Sequence, residues 1–247
     1  MVPIVIAHRT CPRDAAENSL EGIRVAARAG AEAVELDVRL TSDGHPVLMH
    51  DRWLWRTTRT PRPVCRTPFS VVRGLRLRGS EETVPTLAEA LAALAPDQVV
   101  AIDVKDPRAA ESVLAEIRNQ GLEGRALFWA KSARAVAYAA AHAPEIEPSL
   151  LRDARRPRAL KRFLDDANAA GARGISAHWS VVEPTFIAEA RHRGLRVYAW
   201  CQGERIDPGK VGLLDGLVTD WPALGRRVVD GLSWPGVAGA RATEGLV

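Results

Sequence analysis

The stretch PIVIAHRTCPR, residues 3–13, decides how the rest of the chain is read. Its first half is a continuous apolar run without alternation, the pattern of a strand buried on both faces. The turn that follows is not the Gly-rich turn of an open dinucleotide-binding sheet, because AHRTCPR contains no G-x-G-x-x-G. A buried strand ending in His8 and Arg9 fits a closed (β/α)8 barrel, where residues at the strand ends line the working face.

Working outward, strand-like and helix-like segments alternate almost to the end. SLEGIRVAARAG (19–30) has apolar residues at helical spacing and stops at Gly30; AVELDVRL (33–40) reads as the second strand. TLAEALAAL (86–94) opens with Thr86 and Glu89 in capping-box spacing. QVVAIDV (98–104), RALFWA (125–130), EIEPSL (145–150), ARGISAH (172–178), LRVYAW (195–200) and DGLVTD (215–220) are the remaining strands, with the fifth the poorest. Helical patterns separate them, including a weak one at 205–212, and WPALGRRVVDGL (221–232) closes the series. Eight such units predict an α/β fold, a (β/α)8 TIM barrel, for which about 250 residues is ordinary as one domain. The expected organisation is a single barrel domain over 1–231 with a small insertion after the second strand. That insertion, 52–82, is rich in Arg, Pro, Thr and Trp and is expected to sit over the barrel mouth, partly as a lid; 232–247 is expected to be a loose tail.

Composition narrows the function classes. Of the 247 residues 47% are hydrophobic and 26% charged, as in a soluble globular protein. The net charge of +4 comes from scattered arginines and not from a stripe, so no nucleic-acid partner is expected. The basic run RDARRPRALKR (152–162) reads as a solvated face. Three well-separated cysteines, Cys11, Cys65 and Cys201, argue against a disulfide framework and for a reducing cytoplasmic setting. No signal peptide and no integral membrane segment are expected, since no apolar run reaches about 18 residues.

The strand ends carry the chemistry. Glu35 and Asp37 are two apart on one strand, with Val34, Leu36 and Val38 on the other face, so both carboxylates must point into the lumen. Asp103 arrives inward from the next strand. Buried like charges cost several kcal/mol unless neutralised. Arg9 and Lys105 offer ion pairs; a divalent cation does more, and an all-oxygen set suits one Mg2+ or Ca2+ and not zinc. The Asp43-Gly44 pair is a strong two-residue hairpin signal, which would pair Ser42 with His45 and place His50 opposite Asp37. His8 and His50 would then share one cavity with a metal and two cations, a set suited to phosphoryl chemistry. Asp220 also stands at a strand end, and Glu147 is a further candidate for the lumen. Trp53, Trp55, Trp129 and Trp179 suggest an aromatic-rich mouth.

These stretches resemble the glycerophosphodiester phosphodiesterase family. The carriers are HRT (8–10), AENS (16–19), ELDV (35–38), TSDGHPVLMHD (41–51), LWRTT (54–58), VPTL (84–87), DVK (103–105) and TDWP (219–222), in order along almost the whole chain. The resemblance implies a phosphoric diester hydrolase that cleaves a small-molecule glycerophosphodiester to an alcohol and glycerol phosphate. It implies His8 and His50 as the acid–base pair, Glu35, Asp37 and Asp103 as metal ligands, Arg9 and Lys105 as phosphate contacts, and Trp200 beside the substrate. Glu17 and Asn18 match a second motif and would support Arg9 or the metal site. Thr10, Ala16, Ser19 and Asp103 depart from the family's usual glycine, proline, threonine and glutamate. Thr10 is expected to narrow the space beside Arg9. An aspartate at 103 also resembles spider-venom-type phospholipase D enzymes, which cyclise their product. The competing readings are therefore a phospholipase D-like or cyclising enzyme acting on a larger lysophospholipid or specialised phosphodiester, and a barrel that binds a phosphorylated metabolite without turnover. The second has no use for two proton carriers.

Overall fold

The computed structural model describes residues 2–232. Among them nine strands form one sheet: β1 (Ile4–Ala7), β2 (Ala33–Leu40), β3 (Pro46–Leu48), β4 (Val99–Val104), β5 (Ala126–Ala130), β6 (Glu147–Arg152), β7 (Gly174–His178), β8 (Arg196–Cys201) and β9 (Gly216–Thr219). All neighbours pair in parallel except β3, which folds back on β2. The order β1-β9-β8-β7-β6-β5-β4-β2-β3 is closed by parallel pairing of β1 with β2, so the eight parallel strands form a barrel. The helices in chain order are α1 (Leu20–Arg28), α2 (Trp55–Thr58), α3 (Phe69–Val72), α4 (Leu87–Ala92), α5 (Ala110–Asn119), α6 (Ala133–His142), α7 (Pro157–Ala169), α8 (Pro184–His192), α9 (Pro208–Val211) and α10 (Pro222–Leu232). This is the predicted TIM barrel. The expected tail falls almost entirely outside the described residues.

Side chains sort by strand alternation. Val34, Leu36, Val38, Ile102, Phe128 and Ile175 point outward into the main core beneath the helices. Ile6, Ala33, Ala101, Trp129, Tyr198 and Val218 fill the lumen. β6 runs Glu147–Arg152, two residues later than the predicted fifth strand, so Glu147 is its first residue. Glu147 therefore lies at the barrel's amino end, accepting a hydrogen bond from the Tyr198 hydroxyl at 2.8 Å and pairing with Arg196, away from the mouth. Glu145 pairs with Arg118 on the surface. The arginines of the 152–162 run are largely paired, Arg152 and Arg162 with Asp166 and Arg155 with Asp153. All three cysteines are free, and no described helix is long and apolar enough to cross a membrane.

The β2–β3 hairpin corrects a prediction. Val38 faces Leu48 and Arg39 faces Val47, one residue out of the expected register. Thr41 N donates to His45 O, so the loop has three residues, with Gly44 at φ 86°. The cause is local. Thr41 Oγ1 donates to Asp43 Oδ1 at 2.6 Å and accepts from His45 N at 3.0 Å, which draws Thr41 into the last cross-strand pair. Met49 and not His50 follows Asp37 in the ladder, donating its N–H to Asp37 O at 2.8 Å.

The segment 52–82 packs on β3 through a small core of its own, in which Val47, Met49, Leu54, Val64, Val72 and Leu77 are buried. After β1 the chain makes a single 3-10 turn, His8–Thr10, and then three successive residues have positive φ: Arg9 45°, Thr10 64° and Cys11 82°. Each costs about 1–2 kcal/mol for a residue with a Cβ. Helix α1 presses on this turn at Gly22, where a Cβ would lie 2.3 Å from Thr10 Oγ1 and 2.4 Å from the Thr10 carbonyl. Backbone has no room to yield there. Gly22→Ala is thus expected to destabilise the fold by about 1–3 kcal/mol, read as a lowered melting temperature; an unchanged melting temperature would refute this account of the contact.

Candidate active site

Residues at the carboxyl ends of the strands converge on one cavity. His8, Arg9, Glu35, His50, Asp103, Lys105 and Trp200 all line it, together with Trp129, Lys131, Ser176 and Gln202. Asp37 lies directly behind, fully buried. The β2–β4 register sets Asp37 beside Asp103, and alternation sends Glu35, Asp37 and Asp103 inward. One oxygen from each of these three buried carboxylates lies within 4.8 Å of the other two.

Their compensation is visible but incomplete. The Lys105 ammonium stands 2.7 Å from Asp37 Oδ1 and donates to Asp103 Oδ2. Arg9 Nε is 3.6 Å from Asp37 Oδ2. Asn18 serves Asp37 twice, donating Nδ2–H to Oδ2 at 2.8 Å and accepting the Asp37 N–H at 3.0 Å. Glu35 Oε2 accepts the Arg9 N–H at 2.7 Å. Burial raises the pKa of Asp37, but Lys105, His50 and Arg9 together outweigh it and hold the group well below the usual range. Glu35 is driven the other way, pushed up by burial and by the charge of Asp37, against which Lys105 acts too weakly. For Lys105, burial disfavours the ammonium, yet Asp37, Asp103 and Glu35 overcome it and push the pKa up.

Three carboxylates thus crowd one point at the cost of holding Glu35 toward its neutral form, and among the described residues Asp103 Oδ1 has no hydrogen-bond partner. An all-oxygen donor set with an unsatisfied buried oxygen fits a hard divalent cation held by Glu35, Asp37 and Asp103.

Both histidines are oriented through Nδ1. Ala7 pairs with Thr219 across the β1–β9 closure, so the next residues, His8 and Asp220, stand side by side, with Nδ1 2.6 Å from Asp220 Oδ1. His50 Nδ1 lies 2.7 Å from Asp51 Oδ1. In each case a carboxylate at Nδ1 sets the tautomer and leaves Nε2 free. His50 reaches the mouth even though the register differs from the predicted one. β3 ends at Leu48, and Arg39 then grips the His50 carbonyl with Nε and Nη2 at 3.0 and 2.8 Å. Burial lowers the His50 pKa, partly offset by Asp37 and Asp51.

Beyond these contacts lies a second ring. Arg56, from α2, donates to both oxygens of Glu17 at 2.6 Å and through Nε to Asp51 at 2.5 Å, while Glu17 sits 3.6 Å from Arg9. Burial works against ionisation of Asp51, but the bonds from Arg56 and His50 hold its pKa down at about 2. Arg39, Asp51 and Arg56 were not singled out in the sequence, and Asp220 was noted without a partner. For Asp220 a signal existed: a closed barrel makes the first and last strands neighbours.

Thr10 does not narrow the cavity. It is fully buried against α1, where its hydroxyl accepts the Ser19 N–H at 3.2 Å. The mouth is also less aromatic than expected. Trp129 and Trp200 line it, but Trp179 packs on the outer core and Trp53 and Trp55 are exposed.

Comparison with known proteins points to one family. The family model described as the glycerophosphoryl diester phosphodiesterase family matches residues 8–224. Glycerophosphodiester phosphodiesterase 1 of Rattus norvegicus is 42% identical over 132 residues, 50% of this chain and 39% of that protein. The match thus spans about two fifths of the rat protein's length. A glycerophosphodiester phosphodiesterase of Caldanaerobacter subterraneus is 25% identical over 238 residues, covering 90% of this chain and 96% of that one. Among solved structures, an Oleispira antarctica phosphodiesterase in complex with the product sn-glycerol-3-phosphate superposes with a TM-score of 0.77 at 25% identity, over 93% of this chain and 97% of that chain.

The carboxylate cluster makes a thermal prediction. Binding a cation only in the folded state adds about 2.7 kcal/mol at a hundredfold excess over Kd. Mg2+ or Ca2+ should therefore raise the melting temperature, EDTA should reverse the rise, and Asp103→Asn should shrink it. Indifference of the wild-type melting temperature to both ions would count against a metal at this site.

Proposed function

This chain belongs to the glycerophosphoryl diester phosphodiesterase family, and we propose that it hydrolyses a small glycerophosphodiester to an alcohol and glycerol phosphate with the help of one divalent cation. The observation that carries the reading is the pair of histidines on one cavity, each with Nδ1 tied to a carboxylate, beside three buried carboxylates. A site that only binds a phosphate needs anion-binding groups, not two oriented proton carriers. The glycerol phosphate end is supported by the product held in the Oleispira antarctica structure.

Glu35, Asp37 and Asp103 would hold the divalent cation, which would supply positive charge to offset the negative charge of the phosphoryl group. Arg9 and Lys105 line the same cavity and add positive charge for the remaining oxygens. One imidazole accepts the proton of the attacking group as the new P–O bond forms; where that group is the neighbouring glycerol hydroxyl in place of water, the cyclic phosphate so formed is opened in a second step by water, whose addition breaks the new ring P–O bond and gives glycerol phosphate. The other imidazole gives a proton to the departing alcohol as the old P–O bond breaks, so no charged alkoxide has to leave. Asp220 and Asp51 keep each ring aligned through both events and favour its protonated form when it arises. Arg56 ties this alignment to Arg9 through Glu17, so we assign the 52–82 segment a bracing role at the mouth in place of a lid. Trp200 forms the wall beside the substrate.

Hydrolysis of glycerophosphodiesters and of bis(p-nitrophenyl) phosphate should require a divalent cation and stop with EDTA. His8→Ala and His50→Ala should each lower kcat by about 10²–10⁴. Activity that survives both chelation and His50→Ala would overturn the proposal. Asp220→Asn keeps the shape of the site but removes the charge at Nδ1. It should lower kcat by about a hundredfold or more with KM little changed; an effect confined to KM would show that Asp220 does not act through His8.

A further inference from the structure

The half of the mouth built by β5 to β8 takes no part in the histidine and carboxylate machinery, yet its polar groups lack partners. Trp129 and Ser176 are 1% and 0% exposed and line the cavity, and neither Trp129 Nε1 nor Ser176 Oγ has a hydrogen-bond partner among the described residues. Trp200, on the same wall, carries an Nε1 in the same condition. Alternation aims these side chains inward, since Phe128, Ala130, Ile175 and Ala177 beside them belong to the outer core. Two residues beyond Trp129 and Trp200, and so on the same inward face, Lys131 and Gln202 also line the wall. Among the described residues, none that lines this half is a carboxylate. Asp153, which feels the Lys131 charge, is already paired with Arg155 at 2.7 Å.

A buried donor left unpartnered costs free energy that a ligand acceptor recovers. The two indole N–H groups and the Ser176 hydroxyl ask for acceptors; the exposed Lys131 ammonium and the Gln202 amide, at the outer edge of the same wall, can donate to a ligand that reaches them. Resting on the phosphodiesterase reading above, we propose that this half of the cavity is the subsite for the departing alcohol and that it selects a neutral polyol over a choline- or ethanolamine-type cation. Indole faces can also attract a quaternary ammonium. Here, however, Tyr198 packs against the Trp129 ring at 5.2 Å between centroids, and His178 meets Trp200 edge-on at 4.4 Å. The cation-repelling Lys131 shares the wall with no free carboxylate to offset it. A polyol satisfies every donor present; a trimethylammonium group satisfies none.

The test compares kcat/KM of the full chain with added metal for three diesters that share the glycerol phosphate end: glycerophosphoglycerol, glycerophosphoinositol and glycerophosphocholine. The two polyol esters should exceed the choline ester by about tenfold or more. Lys131→Met should narrow that ratio severalfold by improving the choline ester. Ser176→Ala should raise KM for the polyol esters by about fivefold while moving kcat less. A general folding defect scales all three substrates alike and leaves the ratio untouched. The subsite is refuted if the wild type handles the choline ester as well as the polyol esters, or if Lys131→Met leaves the ratio unmoved. Bis(p-nitrophenyl) phosphate, which carries no polyol, separates the two levels. Its cleavage alongside an absent preference removes only the subsite, whereas no cleavage of any diester removes the phosphodiesterase reading with it.

Discussion

Three carboxylates held out of water at the carboxyl end of the barrel set the terms for everything around them. Glu35, Asp37 and Asp103 are all buried, and their oxygens crowd together. Charges so placed persist only when opposite charge and hydrogen bonds surround them. Lys105 enters between Asp37 and Asp103 because it stands two residues after Asp103, on the same inward face. Asn18 saturates the outer side of Asp37 with a donor and an acceptor at once. The left-handed run at Arg9–Cys11 belongs to the same account. It turns the Arg9 N–H onto Glu35 and lets Arg9 O accept the Asn18 N–H at 2.9 Å, so the conformational cost of β1's exit is offset where the carboxylates need donors.

Around that centre the mouth divides its labour. β1, β2 and β4 and the hairpin carry the charged groups, and a chain of ion pairs runs from Arg9 through Glu17, Arg56 and Asp51 to His50. The segment 52–82 interrupts the regular alternation of strand and helix, yet it supplies Arg56, which joins Arg9, through Glu17, to Asp51, the orienter of His50. β5 to β8 offer mainly neutral donors and rings. The two halves are chemically distinct because their inward residues differ: charged groups from β1, β2, β4 and the hairpin on one side, and Trp129, Ser176 and Trp200 from β5, β7 and β8 on the other.

How much of this was legible in the sequence depended on the distance over which each feature is decided. Alternation within one strand was enough to turn Glu35 and Asp37 inward, and the capping box at Thr86 and Glu89 formed as its spacing required. The hairpin register was missed because two hydrogen bonds of Thr41 outweighed the Asp43-Gly44 signal. Thr10 was misplaced because its direction depends on a backbone held left-handed by contacts with α1, which no local pattern encodes. Trp129 lies within β5 and points into the lumen, whereas Trp179 follows β7 and packs on the outer core.

By itself the sequence determined the eight-fold alternation, the inward face of each long strand and the identity of the charged residues at the strand ends, since these rest on periodicities of 2 and 3.6 along one segment. Only the tertiary structure decided the partners. Closure of β1 onto β9 brings Asp220 to His8 across more than two hundred residues of chain. The packing of α2 against the hairpin brings Arg56 to Glu17 and Asp51. Such pairs depend on which strands become neighbours and on how a loop packs, and both are settled by burial of the whole core, not by any stretch of residues alone.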